Sequence, residues 1–389
     1  MSHWTVGFAV YDDPNNQTEG IRAAMTAMSL LIHHPEVKEV IVVDNNPYEI
    51  TDPGTKLKYN PLARFVTKTG RGRYVPMPTP KGTAPPRNRI FAEAKTEYVA
   101  CIDPHVLLYP GFFLSLDLFY ADHGADCPDL LHGPMMTEGD AVLATHMNDQ
   151  WRAEMWGTWG RAWVRGDHRH SFEGNKCTRC GVGITYQRYA NEPCPKADYK
   201  LFSVLTRNDR DLEYVSLESE SEQRTLSCEE VGLPPLQWSC HEKRLEELGC
   251  RSYLAAPFPV PGHGMGFFAC RKDAWLPFHP DCRGFGGEEM TTGYRYRQAG
   301  RKCWCVPGAK WWHHFHRPTV PYRLVKWDRI HNYVCEFKRL GLDPTPIRGH
   351  FGAVLSAEEW ADALAGKAWP DPRPNVRNYG GPPADLAGT

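Results

Sequence analysis

The stretch KGTAPPRNRIFAEAKTEYVACIDPH, Lys81 to His105, decides the fold class. Its glycine-containing loop, Lys81-Gly82-Thr83, runs through a proline pair into a helix start carrying Arg87-Asn88-Arg89. Proline suits a first helical turn, and backbone N–H groups at a helix start suit a phosphate. Tyr98 to Ile102 (YVACI) is a short apolar run, which reads as a strand buried on both faces. It stops at Asp103-Pro104-His105. Open α/β sheets bind their ligands at such strand ends. A carboxylate and an imidazole two residues apart, with proline fixing the turn, can face one divalent ion. A turn-capping aspartate would give the same triplet, so the motif needs a third partner.

The same grammar extends upstream. Thr5 to Val10 reads as a buried strand running into Tyr11-Asp12-Asp13, and Thr18 to His33 as a helix. Val37 to Val43 (VKEVIVV) is a second buried strand, closed by Asp44-Asn45-Asn46-Pro47. Strands that alternate with helices predict an α/β domain with a doubly wound, mostly parallel sheet. Nine Lys or Arg and no Asp or Glu lie between Pro53 and Ala92. That bias suits an anionic ligand, whether diphosphate or nucleic-acid backbone, and equally a solvated basic loop.

Downstream the character changes. Cysteine, charge and polar runs dominate from about Val164 to Cys250, with a flexible look from Glu218 to Arg224, and read as an insertion. Glycine-rich apolar sequence returns at Pro257. In Pro261-Gly262-His263-Gly264-Met265-Gly266, alternate glycines bare one face of the backbone to a planar ligand, or make a tight bend. Arg283-Gly284-Phe285-Gly286-Gly287-Glu288-Glu289 sets paired carboxylates behind glycine. They can enter a cleft and touch a hydroxyl, or simply favour a helix start. Trp311-Trp312-His313-His314-Phe315-His316-Arg317 groups three histidines, one of which can complete a metal site. A last helix is expected near Ser356 to Ala365, before a loose tail. The expected division is 1–163, a first α/β half; 164–250, a Cys-rich insertion; 251–340, a second half with the glycine and histidine clusters; 341–389, helix and tail.

Composition bounds the reading. The 389 residues are 41% hydrophobic, enough for a sizeable core, and the formal charge of −1 gives no whole-chain field for nucleic acid. No window approaches the roughly 18 apolar residues of a membrane span, and no charged leader precedes an apolar run. The expectation is a soluble, cytoplasmic protein with no membrane partner. Thirteen cysteines, an odd number, fit reduced thiols plus a metal site better than a disulfide framework.

Taken in order, these segments resemble a GT-A fold glycosyltransferase, over roughly residues 4–150 and 257–335. Lys81 to His105 is similar to the nucleotide-sugar core of family 2-type enzymes. Asp103-Pro104-His105 resembles the Asp-X-His form of polypeptide N-acetylgalactosaminyltransferases. GFGGEEMTTGYRYRQAGRKCWCVPGAKWWHHF, Gly284 to Phe315, resembles that family's Trp-Gly-Gly-Glu block and its later metal histidine. Counted from Phe285, in the Trp position, that histidine falls on His313 without a gap. The resemblance implies a UDP-sugar donor and Mn²⁺ or Mg²⁺ held by Asp103, His105 and His313. It makes Glu288 the cleft glutamate and Asp44 a uridine contact. With the motifs above, the donor-binding set is Tyr11, Asp44, Gly82, Arg87, Asn88, Gly264, Gly266 and Arg317. The catalytic carboxylates are Glu288 and Glu289. The resemblance also implies retention of configuration, with Glu288 positioning donor or acceptor; in an inverting enzyme Glu288 or Glu289 would be the base. Phe285 departs from the family Trp, and His316 stands where an Arg is expected, with Arg317 nearest. Met155 to Trp159 (MWGTW) is similar to a group of bacterial and phage glycosyltransferases. Trp151, Trp156 and Trp159 could each stack on a ligand or pack in the core.

Within the insertion, His170, Cys177, Cys180 and Cys194 read H-x6-C-x2-C-G-x12-C-P. That spacing suits a structural Zn²⁺ with three thiolates and one imidazole. His168, Cys228, Cys240 or His241 are alternative fourth ligands, and free thiols the alternative to zinc. The pattern resembles small zinc modules of phage proteins. It joins the basic segment in pointing to a hydroxymethylated pyrimidine of phage DNA as acceptor, and to the host cytoplasm as location. A protein Ser/Thr hydroxyl and a glycan are alternative acceptors. A zinc-bearing nucleic-acid-binding protein on an inactive transferase scaffold is the non-enzyme alternative.

Overall fold

The computed structural model describes residues 3–11, 18–77, 82–152, 155–165, 256–314, 326–352 and 355–366, with shorter pieces between 172 and 251. The chain enters through β1 (Trp4–Val10), crosses by α1 (Thr18–His33) to β2 (Val37–Asp44), and continues through β3 (Gly72–Pro76), α2 (Ala84–Glu93) and β4 (Tyr98–Ile102). β1 pairs in parallel with β2 and β4, and β2 with β3. Both sheet faces are covered, which is why β1 and β4 are buried almost throughout. Trp4, Val6, Phe8 and Val10 pack on one side with Ala23, Ala27 and Leu30 of α1. Ile41, Val43, Val99 and Cys101 pack on the other with Ile90 and Phe91 of α2. Gly7 lets α2 come this close, because a Cβ there would lie 2.1 Å from Ile90.

The chain continues through β5 (Val106–Leu108), β6 (Leu130–His132), β7 (Phe258–Pro259), β8 (Phe267–Arg271), α3 (Glu289–Gln298), β9 (Cys303–Cys305), β10 (Trp311–His313) and α4 (Lys326–Leu340). The central sheet runs β7-β9-β6-β8-β4-β1-β2-β3. It is mixed and mostly parallel, as expected: six strands run one way, and β7 and β8 run the other. β8 lies antiparallel between β4 and β6, and β7 is antiparallel to β9. The reason is local. The Gly262–Gly266 segment sits against the carboxyl end of β4, where Gly266 O accepts from Asp103 N at 2.9 Å. β8 therefore leaves from that end and must run backwards. A second, four-stranded sheet joins β5 and β10 to Met135–Met136 and Val142–Ala144.

The stretch read as an insertion contributes a separate antiparallel sheet. Its strands are Thr225–Leu226, Asp211–Ser216, Lys200–Arg207, Ala162–Arg165 and Cys250–Arg251, in that order. Cys177 ends a short strand, Lys176–Cys177, paired with Phe172–Glu173. His170, Cys180, Cys194 and the 218–224 run lie outside the described residues. Cys101, Cys127, Cys270, Cys282, Cys303 and Cys305 are buried free thiols. The late helix forms at Ala357–Leu364, with Ser356 and Glu359 making a capping box. No helix among the described residues is long and apolar enough to cross a membrane.

Three buried histidines set an acid limit on this core. Burial pushes His132 down to about 3 and His146 down to about 4, and holds His263 well below the ordinary value of 6.5. His132 and His263 stack with centroids 4.7 Å apart, and neither ring nitrogen of His263 has a hydrogen-bond partner. Below pH 6.5 the unfolded chain takes up protons that the folded chain refuses. Each histidine then removes about 1.4 kcal/mol of stability per pH unit, down to its own folded value. The melting temperature is expected to fall steeply from pH 7 to pH 5, and His263→Leu to flatten the slope. A melting temperature constant over that range would contradict this.

Candidate active site

Two strand ends and one strand pairing build the site. Asp103 follows β4, His105 precedes β5, and His313 ends β10. β5 and β10 are antiparallel with His313 opposite Val106, and His314 N donates to His105 O at 3.1 Å. The pairing makes the two imidazoles neighbours. Ligand atoms of Asp103, His105 and His313 lie within 4.8 Å of one another, the one such group of three among the described residues. The two Nε2 atoms are 3.0 Å apart, and they lie 3.8 and 3.6 Å from Asp103 Oδ2. Two metal–nitrogen bonds of about 2.1 Å meeting near a right angle leave their nitrogens about 3 Å apart. One carboxylate oxygen and two imidazole nitrogens also form a mixed donor set suited to a divalent transition ion. The residues fit the group that the resemblance implies.

Electrostatics prepares the carboxylate. Burial alone would raise the pKa of Asp103, but contact with His313 and the Arg87 charge hold it well below the usual carboxylate range. Arg87 Nη2 donates to Asp103 Oδ1 at 3.0 Å, and Arg87 Nη1 lies 3.9 Å from Glu288 Oε1. Burial opposes the charge on Arg87, and these two carboxylates outweigh it.

A single cavity joins this cluster to most of the expected donor set. Tyr11, Gly82, Arg87, Gly264, Gly266, Glu288 and Glu289 line it with the three candidate ligands. Thr83 Oγ donates to Glu288 Oε1, so that carboxylate is fixed from the Gly82 loop. Glu289 is different. Its Oε2 is buried and accepts no hydrogen bond, and burial, with Glu288 alongside, pushes its carboxyl up to about 7. The opposite wall is apolar, with Met147, Met155, Trp159 and Met265. Gly264 admits Trp159, because a Cβ there would lie 2.0 Å from the indole.

Two expected donor contacts point elsewhere. Asp44 is fully buried at the end of β2, accepting from Tyr74 Oη at 2.5 Å and from Asn46 N at 3.0 Å, and it does not line the cavity. Its neighbour Asn45 does, donating to Gly82 O at 2.8 Å. Asn88 faces the far side of α2. Its amide oxygen accepts from Phe278 N and Trp275 Nε1, and its nitrogen donates to Phe278 O. It anchors the chain after β8 instead of a ligand. Arg317 and Lys81 lie outside the described residues. Of the three tryptophans, Trp151 and Trp156 stack on each other and pack against Phe337 in the core, and only Trp159 lines the cavity. The basic segment is divided. Arg73 pairs with Glu39 and Glu93, and Arg89 with Glu93, while Lys56, Lys58, Arg64 and Lys68 are exposed. Asn45 and Thr83 escaped the sequence reading, although each adjoins a residue it chose.

The Gly82 loop touches the glycine-rich loop directly. Thr83 N donates to Gly284 O at 2.9 Å, and a Cβ on Gly82 would lie 2.1 Å from that same oxygen. Gly82 also has φ +90°. Gly82→Ala is expected to cost roughly 1–3 kcal/mol for the backbone conformation alone. A denaturation midpoint equal to that of the parent would contradict this contact.

Residues 17–166 are similar to the family described as Glycosyl transferase family 2. No curated protein matches the chain. Among solved structures, GalNAc-T7 with UDP, GalNAc and Mn²⁺ is similar over 87% of this chain and 48% of its own, at 14% identity and TM-score 0.46. The chain therefore spans about half the length of that protein. TarS residues 1–349 from S. aureus, in complex with UDP-GlcNAc, is similar over 37% of this chain and 38% of its own, at 19% identity and TM-score 0.27.

Proposed function

We propose that this chain is a metal-dependent glycosyltransferase that moves a sugar from a UDP-sugar to an acceptor hydroxyl. The observation that carries the reading is the meeting of Asp103, His105 and His313 in one cavity with the Gly82 loop and the Glu288–Glu289 pair. Asp103, His105 and His313 would hold Mn²⁺, which when bound offsets the charge of the diphosphate leaving group. In the transfer, the acceptor oxygen bonds to the anomeric carbon, the bond from that carbon to the β-phosphate oxygen breaks, and the acceptor proton is released.

The chain's own residues prepare that step. Arg87 keeps Asp103 ionised and aimed. Asn45, Tyr11 and the Gly82 loop line the donor side. Glu288 is engaged by Thr83 and Arg87 and serves as a fixed wall of the cleft. Glu289, which lines the cavity and whose Oε2 accepts no hydrogen bond, meets the acceptor hydroxyl. Retention of configuration follows from the Asp-X-His resemblance.

For the acceptor, the reading is a hydroxymethylated pyrimidine in DNA. An apolar wall of Met147, Met155 and Trp159 suits a planar base. The exposed cations Lys56, Lys58, Arg64 and Lys68 suit a phosphate backbone. The test is UDP release with Mn²⁺ and a panel of UDP-sugars, with and without hydroxymethylated DNA. Release with one donor, stimulated by that DNA, is expected. No release with any donor would remove the transferase reading, and release indifferent to the DNA would remove the acceptor reading.

A further inference from the structure

The residues that place Glu288 and Glu289 in the cleft are held by a helix outside the cavity. The segment before them, Arg283 to Gly287, is not regular structure. Gly284, Gly286 and Gly287 have φ of +57°, +92° and +97°. Such backbone has few bonds of its own and needs an external template. α4 supplies one. Asp328, Asn332 and Glu336 recur every four residues, so they lie along one face of the helix.

Asp328 and Asn332 grip the segment itself, and Glu336 holds the chain ahead of it. Asp328 forms an ion pair with Arg283, its Oδ1 lying 2.8 Å from Nε. Asn332 Oδ1 accepts from Arg283 N, and its Nδ2 donates to Arg283 O and to Gly286 O, each at 2.8 Å. Glu336 accepts from His279 N at 2.8 Å and lies 3.5 Å from Arg295. Asn332 is 1% exposed and Glu336 0%. Buried polar groups are costly unless they are bonded, and here the bonds go to backbone that carries the active carboxylates. The glycines fit closely against the same face, since a Cβ on Gly284 would lie 2.3 Å from Asp328 and one on Gly287 3.0 Å from Asn332. On its other side the segment is met by Thr83, through Gly284 O and Glu288.

We propose that Asn332 is a positioning residue for the transfer. It clamps the Gly284–Gly287 loop in its left-handed course, and so fixes Glu288 and Glu289 against the donor side without touching substrate. The proposal rests on the transferase reading for its kinetic consequence, and on backbone geometry alone for the clamp. It assigns the inner polar face of α4 to the reaction, although that helix contributes no residue to the cavity wall.

The experiment uses the full chain with Asn332→Ala and Asn332→Asp, followed by amide hydrogen exchange, Mn²⁺–UDP binding and steady-state transfer. In Asn332→Ala, exchange of the amides from Arg283 to Glu289 is expected to rise about tenfold or more, with β4 and β10 unchanged. Binding of Mn²⁺–UDP should stay within about threefold, while kcat falls on the order of 100-fold, because a displacement of about 1 Å suffices for that loss. Asp keeps the bond from Arg283 N but turns a buried charge on the two carbonyl oxygens, so it should loosen the segment at least as much as Ala. It also decides the matter should the Ala variant fail to fold. Unchanged exchange in the segment, or a kcat within about twofold of the parent, would overturn the clamp. A parent enzyme that turns over no UDP-sugar would count against the transferase reading instead, and the exchange result would still decide the clamp.

Discussion

Asp103→Asn is expected to lower transfer by roughly 10³-fold or more, since a bound divalent ion contributes several kcal/mol to a charged transition state. The substitution keeps the shape of the side chain and removes its charge. That charge serves two partners here. It faces the two imidazoles of His105 and His313 at 3.8 and 3.6 Å, and it accepts from Arg87 at 3.0 Å. A neutral amide would be a poor ligand and would leave a buried guanidinium with Glu288, at 3.9 Å, as its remaining carboxylate. The lost ion pair should also destabilise the fold, so activity is to be compared at a temperature where both proteins are folded. Transfer within about tenfold of the parent would show that Asp103 does not ligate a required ion.

Glu289→Gln is expected to lower transfer by roughly 10²-fold, the loss that misplacing the acceptor by about 1 Å can cause, and to leave Mn²⁺–UDP binding nearly unchanged. The pair divides its work by environment. Glu288 is bonded by Thr83, whereas Glu289, which also lines the cavity, has a buried Oε2 that accepts nothing. Burial pushes the Glu289 carboxyl up to about 7, so the ionised form that accepts from a hydroxyl gains population as pH rises through that value. The parent's kcat should accordingly rise through about pH 7, and the Gln variant should lose that limb. A parent profile flat from pH 6 to 8, or a Gln variant with full activity, would remove Glu289 from the acceptor contact.

Much of the donor half was legible in the sequence. β4 is apolar at every position and stops abruptly at polar residues, so both the strand and the place of Asp103 and His105 followed from pattern. His313 is legible only through the register of the Gly284–Phe315 block, because the β5–β10 pairing that delivers it joins positions about 200 residues apart. Strand direction was not legible. The apolar run of Phe267–Arg271 is the same read either way, and the reversal comes from where the preceding glycine segment docks. Side-chain aim was not legible either. Asp44 and Asn45 end the same strand, yet Tyr74 captures the first and Gly82 the second. Asn332 gave no signal at all, since a single Asn in an amphipathic helix reads as solvated until the glycine loop beneath it is seen. The zinc pattern at His170, Cys177, Cys180 and Cys194 stands as a sequence reading, with one of its four residues, Cys177, within a described strand.

The central claim is that Asp103, His105 and His313 form one ion site, and Mn²⁺ titration followed by electron paramagnetic resonance tests it most directly. With UDP present, the parent should immobilise one Mn²⁺ per chain at this site, and His313→Ala should lose it while keeping the parent's fold by circular dichroism. Equal Mn²⁺ binding by the parent and by His313→Ala would contradict the site.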